Sequence, residues 1–351
     1  MNYGTIAPIV EKLQKDPRIQ LYFTASENPA NSAQIYCEAH QPFRIVSPLA
    51  AAFMRFDAYL ASDFLWVKLP RGTRRVQTFH GVAGKYRTIY DSPNESMRAW
   101  DRLYFINEHR MHHFIETGAI DADSPAARLI GMPKLDCLVD GSLNRDQVLT
   151  SLGIDPSRKT VMYAPTWSPY SSLASMGEEL VNALGEAGYA VIAKLHDRSR
   201  ETRYVNSGGI DWGARLEPLL RSTGGVLATG ANSSAYLPGA DVLITDHSSV
   251  GFEYLLLDRP LVRIEVPELI AKTDIEPIYV ELLSRASTTA VNVKEVVAAV
   301  EEAFAEPQFN SETRRAVANE MFYKPGGATG RAVLETYKLL ELEPPINHRG
   351  Q

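Results

Sequence analysis

Short apolar runs alternate with amphipathic stretches along most of the chain, and clusters of Gly, Pro, Asn, Asp and Ser separate them. Continuous apolar runs bounded by turn residues predict strands at Arg75–Phe79, Arg102–Ile106, Thr160–Tyr163, Tyr189–Leu195, Val242–Thr245 and Leu261–Ile264. Weaker runs predict strands at Gln20–Thr24, Phe43–Ile45, Ala58–Ala61, Ala127–Ile130 and Val226–Ala228. Helical spacing predicts helices at Ile6–Leu13, Ala30–Ala39, Leu49–Arg55, Glu108–Thr117, Gly177–Gly188, Arg215–Ser222, Ser249–Leu257, Val293–Phe304, Glu312–Phe322 and Arg331–Leu340. Leu135–Val139 and Ser233–Leu237 read as shorter helical pieces.

Strands alternating with helices in this way predict an α/β chain with mostly parallel sheets and helices on both faces. The periodicity breaks over Asp140–Pro156, where Gly141, Ser142 and Asn144 interrupt it. This places one Rossmann-like domain at 1–145 and a second at 152–322, with a hinge segment and terminal helix at 323–345 and a loose tail at 346–351. A Rossmann-type domain puts a strand before its first helix, yet almost nothing precedes the turn at 2–5. Either a first strand is missing or that sheet starts differently. Ligands of parallel sheets bind beyond the carboxyl ends of the strands. Polar clusters sit at predicted strand ends in both halves, which points to one cleft between two domains.

A chain of 351 residues with 45% hydrophobic content can fill two cores. Its formal charge of −6 argues against a broad polyanion-binding surface, so no nucleic-acid partner is expected. Cys37 and Cys137 allow neither a disulfide framework nor a four-thiolate zinc site, which fits a reducing, cytoplasmic setting. No apolar run approaches the roughly 20 residues needed to span a bilayer, leaving a soluble protein or one held at a membrane surface.

The sharpest chemistry lies at the strand ends. Asp246-His247-Ser248-Ser249 follows an apolar strand and opens a helix, where hydroxyls and unpaired N–H groups can hold phosphate oxygens. Glu253, one turn onward, could meet ribose hydroxyls, although Asp246 or a serine could equally be a helix cap. His80-Gly81, with Gly84 and Lys85 behind, suits a base placed close to a ligand, or a structural turn. Lys194-Leu195-His196 would put both cationic groups on one side if the strand runs through them. Thr166 and Trp167 offer a hydroxyl and a ring surface, while Lys134 and Arg331 sit in the turns 131–136 and 324–331 and could reach phosphate or serve packing. His109 and His113 lack the intervening glutamate of a metalloprotease helix, so no metal site is expected.

In chain order, His80-Gly81, Gly131-Met-Pro-Lys134-Leu-Asp136, Tyr163-Ala-Pro-Thr166-Trp167, Lys194-Leu-His196, Asp246-His-Ser248-Ser249 and the glycine-rich 324–331 resemble the CDP-glycerol glycerophosphotransferase family of wall teichoic acid synthesis. The resemblance implies a GT-B fold, with an acceptor-facing N-terminal domain and a nucleotide-donor-binding C-terminal domain. It implies that His80 and His196 are catalytic, and that Lys194, Asp246, Ser248, Ser249, Glu253, Thr166 and Arg331 serve the donor. Gly81, Lys85 and Lys134 would lie on the acceptor side. The implied reaction moves glycerol phosphate, or a related polyol phosphate, from a CDP-linked donor to a hydroxyl of a cell-envelope polysaccharide or lipid-linked precursor, releasing CMP. No cofactor is implied, and the work would be done in the cytoplasm or peripherally at the inner membrane face. Two departures stand out: His247 replaces a common tyrosine, and Lys194-Leu195-His196-Asp197 replaces the frequent Lys-Pro-His-Pro. A glycosyltransferase using a nucleotide sugar, or an inactive nucleotide-binding or interaction protein, are the competing readings.

Overall fold

The computed structural model describes residues 3–24, 39, 43–62, 67–82, 95–230, 232–273 and 275–345. Contacts divide them into two units. The first holds the described residues of Met1–Val82, Thr88–Asp136 and Met321–Gln351, and the second holds those of Cys137–Glu320. The helix expected at Ala30–Ala39, Lys85, and the tail at 346–351 lie outside the described residues, except for Ala39.

In the first unit β1 (Tyr22–Phe23) pairs in parallel with β2 (Arg44–Ile45). Then β3 (Ala58–Ser62), β4 (Arg74–Thr78), β5 (Arg102–Phe105) and β6 (Ala127–Leu129) pair in sequential order, all parallel. Ile9 and Leu13 of the helix Tyr3–Leu13 share a core with Val76, Tyr104 and Ile130 of the sheet region. Val333 and Tyr337 of the helix Ala328–Leu339 complete it. The end of the chain therefore belongs to the first unit. Tyr104 Oη lies 3.0 Å from Thr336 Oγ1, and Tyr337 Oη donates to Asp16 Oδ2 at 2.8 Å.

The terminal helix starts at Ala328 rather than at the expected Arg331, and a distant carboxylate explains the earlier start. Asp136 accepts from the Ala328 and Thr329 N–H groups at 3.0 and 2.7 Å, supplying two of the partners that a helix N-terminus lacks. Arg331 donates to the carbonyls of Ile130, Tyr323 and Lys324. The turn 131–136 and the glycine-rich segment 324–331 are thus two halves of one joint.

The second unit has β7 (Thr160–Tyr163), β8 (Ala190–Ala193), β9 (Val226–Leu227), β10 (Val242–Thr245), β11 (Leu261–Ile264) and β12 (Thr288–Ala290). They form one parallel sheet in the order β12-β11-β10-β7-β8-β9. The chain steps outward from β7 to β9, then returns to lay β10 against the other side of β7. That reversal is a topological switch point. Ile244 is level with Tyr163, and Tyr163 with Ala193, so β10, β7 and β8 end together. Leu180 and Leu184 of the helix Ser172–Glu186, and Val296 and Val300 of the helix Val293–Ala305, pack with Val161, Val191 and Ile244. The helices Pro267–Thr273 and Pro277–Arg285 and strand β12 add to the elements expected from the sequence.

Gly131 has φ +87°, and a Cβ there would stand 2.6 Å from the Tyr323 carbonyl oxygen. Gly131→Ala should cost about 1–3 kcal/mol through backbone strain and this clash, read as a lower melting temperature of the purified chain. An unchanged melting temperature would show that the joint yields freely.

Candidate functional site

The ends of β7, β8 and β10 carry most of the expected donor residues. Asp246 follows β10 and has no exposed surface. Its Oδ1 accepts the Thr166 N–H at 2.8 Å, and its Oδ2 accepts the Ser172 N–H at 3.2 Å and the Ser172 hydroxyl at 3.0 Å. Ser172 Oγ is also 2.9 Å from Tyr163 Oη. The Thr245 hydroxyl donates to the Ala164 carbonyl at 2.6 Å. The two strands on either side of the switch point are therefore tied together just beyond their ends, and Thr166 is buried by the same bonds.

The Ser249–Leu255 helix begins immediately after this tie. Ser248 is its N-cap residue, with extended backbone, and its side chain makes no cap hydrogen bond. Ser248 and Ser249 are both half-buried, so their hydroxyls sit at the mouth of the helix without filling it. N–H groups and hydroxyls arranged in this way suit phosphate oxygens. Glu253, expected to meet ribose, is 3% exposed and lies on the buried length of the helix.

His247, the departure from the family's common tyrosine, is also buried. Its Nε2 lies 3.1 Å from Nη1 of Arg263. A guanidinium has donors only, so Nε2 accepts and a neutral imidazole carries its proton on Nδ1.

At the neighbouring strand the structure corrects an expectation. β8 ends at Ala193, so Lys194 and His196 lie in the following loop and do not share one strand face. Lys194 is buried, its ammonium donates to the Leu195 carbonyl at 2.9 Å, and burial lowers its pKa. His196 is exposed, with its ring centroid 5.8 Å from that of Trp167. Its Nδ1 accepts the Arg198 N–H at 3.1 Å, which leaves Nε2 as the protonated nitrogen of the neutral ring. The protein that covers one side of this otherwise exposed imidazole removes part of the hydration of its charged form, and the charges of Arg198 and Lys194 add to this against Asp197. Together they push its pKa down to about 4. Arg198 also lays its guanidinium 4.4 Å above the Trp167 ring.

In the first unit His80 is exposed beyond the end of β4. Phe79 anchors it from behind, stacked on Phe105 at 5.0 Å and edge-on to Phe114 at 5.6 Å. Gly81 follows, half-buried, as is Lys134 in the 3₁₀ turn Pro133–Leu138. Arg75 at the start of β4 is buried under Tyr59 and donates to the Val67 carbonyl.

Asp246, Lys194 and Arg331 are each hydrogen-bonded to protein groups. These bonds hold the loops and turns in which the three residues sit. Ser172, Arg198 and Arg263 were absent from the sequence-based set. A lone arginine within the apolar run Leu261–Ile264 was the available signal for Arg263, and proximity to His196 was the signal for Arg198.

His196 should titrate below its ordinary value of 6.5 by proton NMR. Below pH 6.5 the unfolded chain binds a proton at this imidazole more readily than the folded chain does. Stability contributed by this group is full above about pH 6.5 and falls as pH drops toward 4. A midpoint near 6.5 would show that the surrounding protein leaves the imidazole fully hydrated.

The family model for CDP-glycerol:poly(glycerophosphate) glycerophosphotransferase matches residues 4–336. A teichoic acid poly(glycerol phosphate) polymerase of Staphylococcus epidermidis is 29% identical over 212 residues, covering 57% of this chain and 26% of that protein. A polymerase of the same description from Bacillus spizizenii is 25% identical over 224 residues, covering 56% of this chain and 52% of its own length. The matches thus span about half or less of these curated relatives. The structure of the wall teichoic acid polymerase TagF superposes with a TM-score of 0.73 at 19% identity, covering 97% of this chain and 86% of that one. The UDP-GlcNAc 2-epimerase of Neisseria meningitidis, bound to UDP-GlcNAc, gives 0.60 at 11% identity, covering 96% and 97%. The fold is GT-B-like, and the match over residues 4–336 shows that the chain belongs to the CDP-glycerol:poly(glycerophosphate) glycerophosphotransferase family.

Proposed function

We propose that the chain transfers glycerol phosphate, or a related polyol phosphate, from a CDP-linked donor to a hydroxyl of a cell-envelope polysaccharide or lipid-linked precursor. The observation that carries this reading is the Ser248–Ser249 helix start at the topological switch point of a chain in this family. A TagF variant soaked with CDPG has the same fold, with a TM-score of 0.73 at 18% identity, which supports the choice of donor.

In this reading the acceptor oxygen attacks the β-phosphorus and forms the new P–O bond. The bond from that phosphorus to the bridging oxygen breaks, and CMP leaves with the electron pair. His80 takes the hydroxyl proton. The Ser248–Ser249 turn and the Nε2–H of neutral His196 donate to phosphate oxygens as charge builds on them. The buried Asp246 contributes by holding the β7 loop against the turn.

Membrane-surface contact belongs to the same proposal. Among the described residues no helix is long and apolar enough to cross a membrane. Leu49 and Phe53 are 74% and 84% exposed, and Arg44 and Arg55 beside them in sequence are exposed as well. Apolar groups with flanking cations suit an anionic lipid interface.

CMP release from CDP-glycerol in the presence of a lipid-linked acceptor tests the proposal. His80→Ala and His196→Ala should each lower kcat about 100-fold or more, whereas Ser249→Ala should chiefly raise KM for the donor. Turnover of nucleotide sugars alone would overturn the donor assignment. Full activity in both histidine variants would overturn the catalytic one.

A further inference from the structure

The loops that lead into β7, β10 and β11 surround an open cavity of ≈ 380 Å³. Arg158 and Lys159 immediately precede β7, Asp241 precedes β10, and Arg259 and Pro260 precede β11. The cavity therefore lies at the amino ends of these strands, whereas Ser248 and Ser249 follow the carboxyl end of β10. The length of β10, about 13 Å at roughly 3.3 Å per residue, separates the two. Parallel sheets of this kind bind their nucleotides at the carboxyl ends, so the cavity is no part of the donor site.

Four cations and two carboxylates line it, and both carboxylates are already matched. Asp241 accepts from Nε and Nη2 of Arg145, each at 2.8 Å, and from the Thr160 N–H at 2.9 Å. Asp258 accepts from the Ser311 hydroxyl at 2.6 Å and from Nε of Arg314 at 3.1 Å. Arg158, Lys159 and Arg259 remain, and among the described residues none of them has a carboxylate within ion-pair distance. Arg158 and Arg259 donate to backbone carbonyls, which fix the guanidinium groups without cancelling their charge. Lys159 is exposed, and its ammonium stands 4.9 Å from the centroid of the Phe304 ring. Tyr189 stacks on that ring with centroids 5.2 Å apart, which holds Phe304 in place. A cation–π contact at an exposed site is weak, so the ammonium stays available to an anion. The chain carries a formal charge of −6, so three such cations in one cavity run against its overall balance. Walls of low dielectric focus the field that these charges create.

We propose that this cavity binds the phosphate group of a small phosphate monoester, with Lys159 as direct ligand and Arg158 and Arg259 supplying the field. The inference is independent of the CDP-linked reading, since it uses neither the residues nor the strand ends of the donor site. The volume falls within the range of small-molecule sites, roughly 300–1,000 Å³, and leaves room for a short organic group beside the phosphate. Ala303, Phe304 and Pro307 offer that group an apolar wall. A monoester phosphate carries about −1.5 to −2 charges near pH 7. It therefore answers three cations better than a singly charged diester does.

The test is calorimetric titration of the full chain with sn-glycerol 3-phosphate, and with glycerophosphoglycerol as the diester. Wild type, Lys159→Glu, Lys159→Met and Ser249→Ala are compared. Wild type and Ser249→Ala should bind the monoester alike, while Lys159→Glu should weaken it about tenfold or more. Lys159→Met, which keeps the side-chain length but removes the charge, should fall between them. Raising sodium chloride from about 0.05 to about 0.5 M should weaken binding to wild type, because the site is open to solvent. If Lys159→Glu melts far below wild type, Lys159→Met decides alone. Equal affinity for the diester would overturn the monoester assignment. Binding lost in Ser249→Ala but kept in both Lys159 variants would put the ligand in the donor site and overturn the proposal. Absence of binding to wild type would overturn it as well.

Discussion

The second unit's candidate site depends on one buried carboxylate. Asp246 sits where the strand order reverses, and its two oxygens take three hydrogen bonds from Thr166 and Ser172. Removing a carboxylate from water costs several kcal/mol unless donors replace the lost hydration. Those donors come from the loop after β7 and the start of the Ser172–Glu186 helix, so the loop is held against the end of β10. The helix N-terminus adds a favourable dipole to the same carboxylate. Once this tie is made, the Ser248–Ser249 turn opens beside the Thr166–Trp167 loop with its hydroxyls half-buried.

The first unit uses the same physics for a different end. Asp136 caps the terminal helix across 192 residues of chain, and Arg331 closes the joint through three carbonyl oxygens. Gly131 lets the backbones meet, since its left-handed conformation and the nearby Tyr323 carbonyl leave no room for a side chain. Two motifs that look like separate ligand loops are a structural pair. The charges of Asp136 and Arg331 are turned toward the protein, which seats the helix Ala328–Leu339 on the first unit.

Burial divides the cationic groups of the donor edge into two kinds. Lys194 and Arg263 are enclosed and hydrogen-bonded to protein, so they shape loops and orient neighbours. His196 and Arg198 remain exposed, with the imidazole's Nδ1 committed to Arg198 and the guanidinium laid on Trp167. A neutral imidazole with a fixed tautomer is a directional donor, better suited to holding phosphate than to exchanging protons near neutrality.

The sequence by itself determined the α/β alternation, most strand positions, and the strand ends at which polar groups collect. Apolar runs and helical spacing are local properties, and they survive folding because each element buries its own face. The order of strands in the sheet lay beyond that reading, and so did the partners of Asp246, Asp136 and Arg331. A carboxylate looks the same in sequence whether it meets a ligand or a backbone N–H. Only the tertiary structure, by bringing residues 80 or 192 positions apart within hydrogen-bond distance, decided which charges are tied to protein groups and which remain exposed.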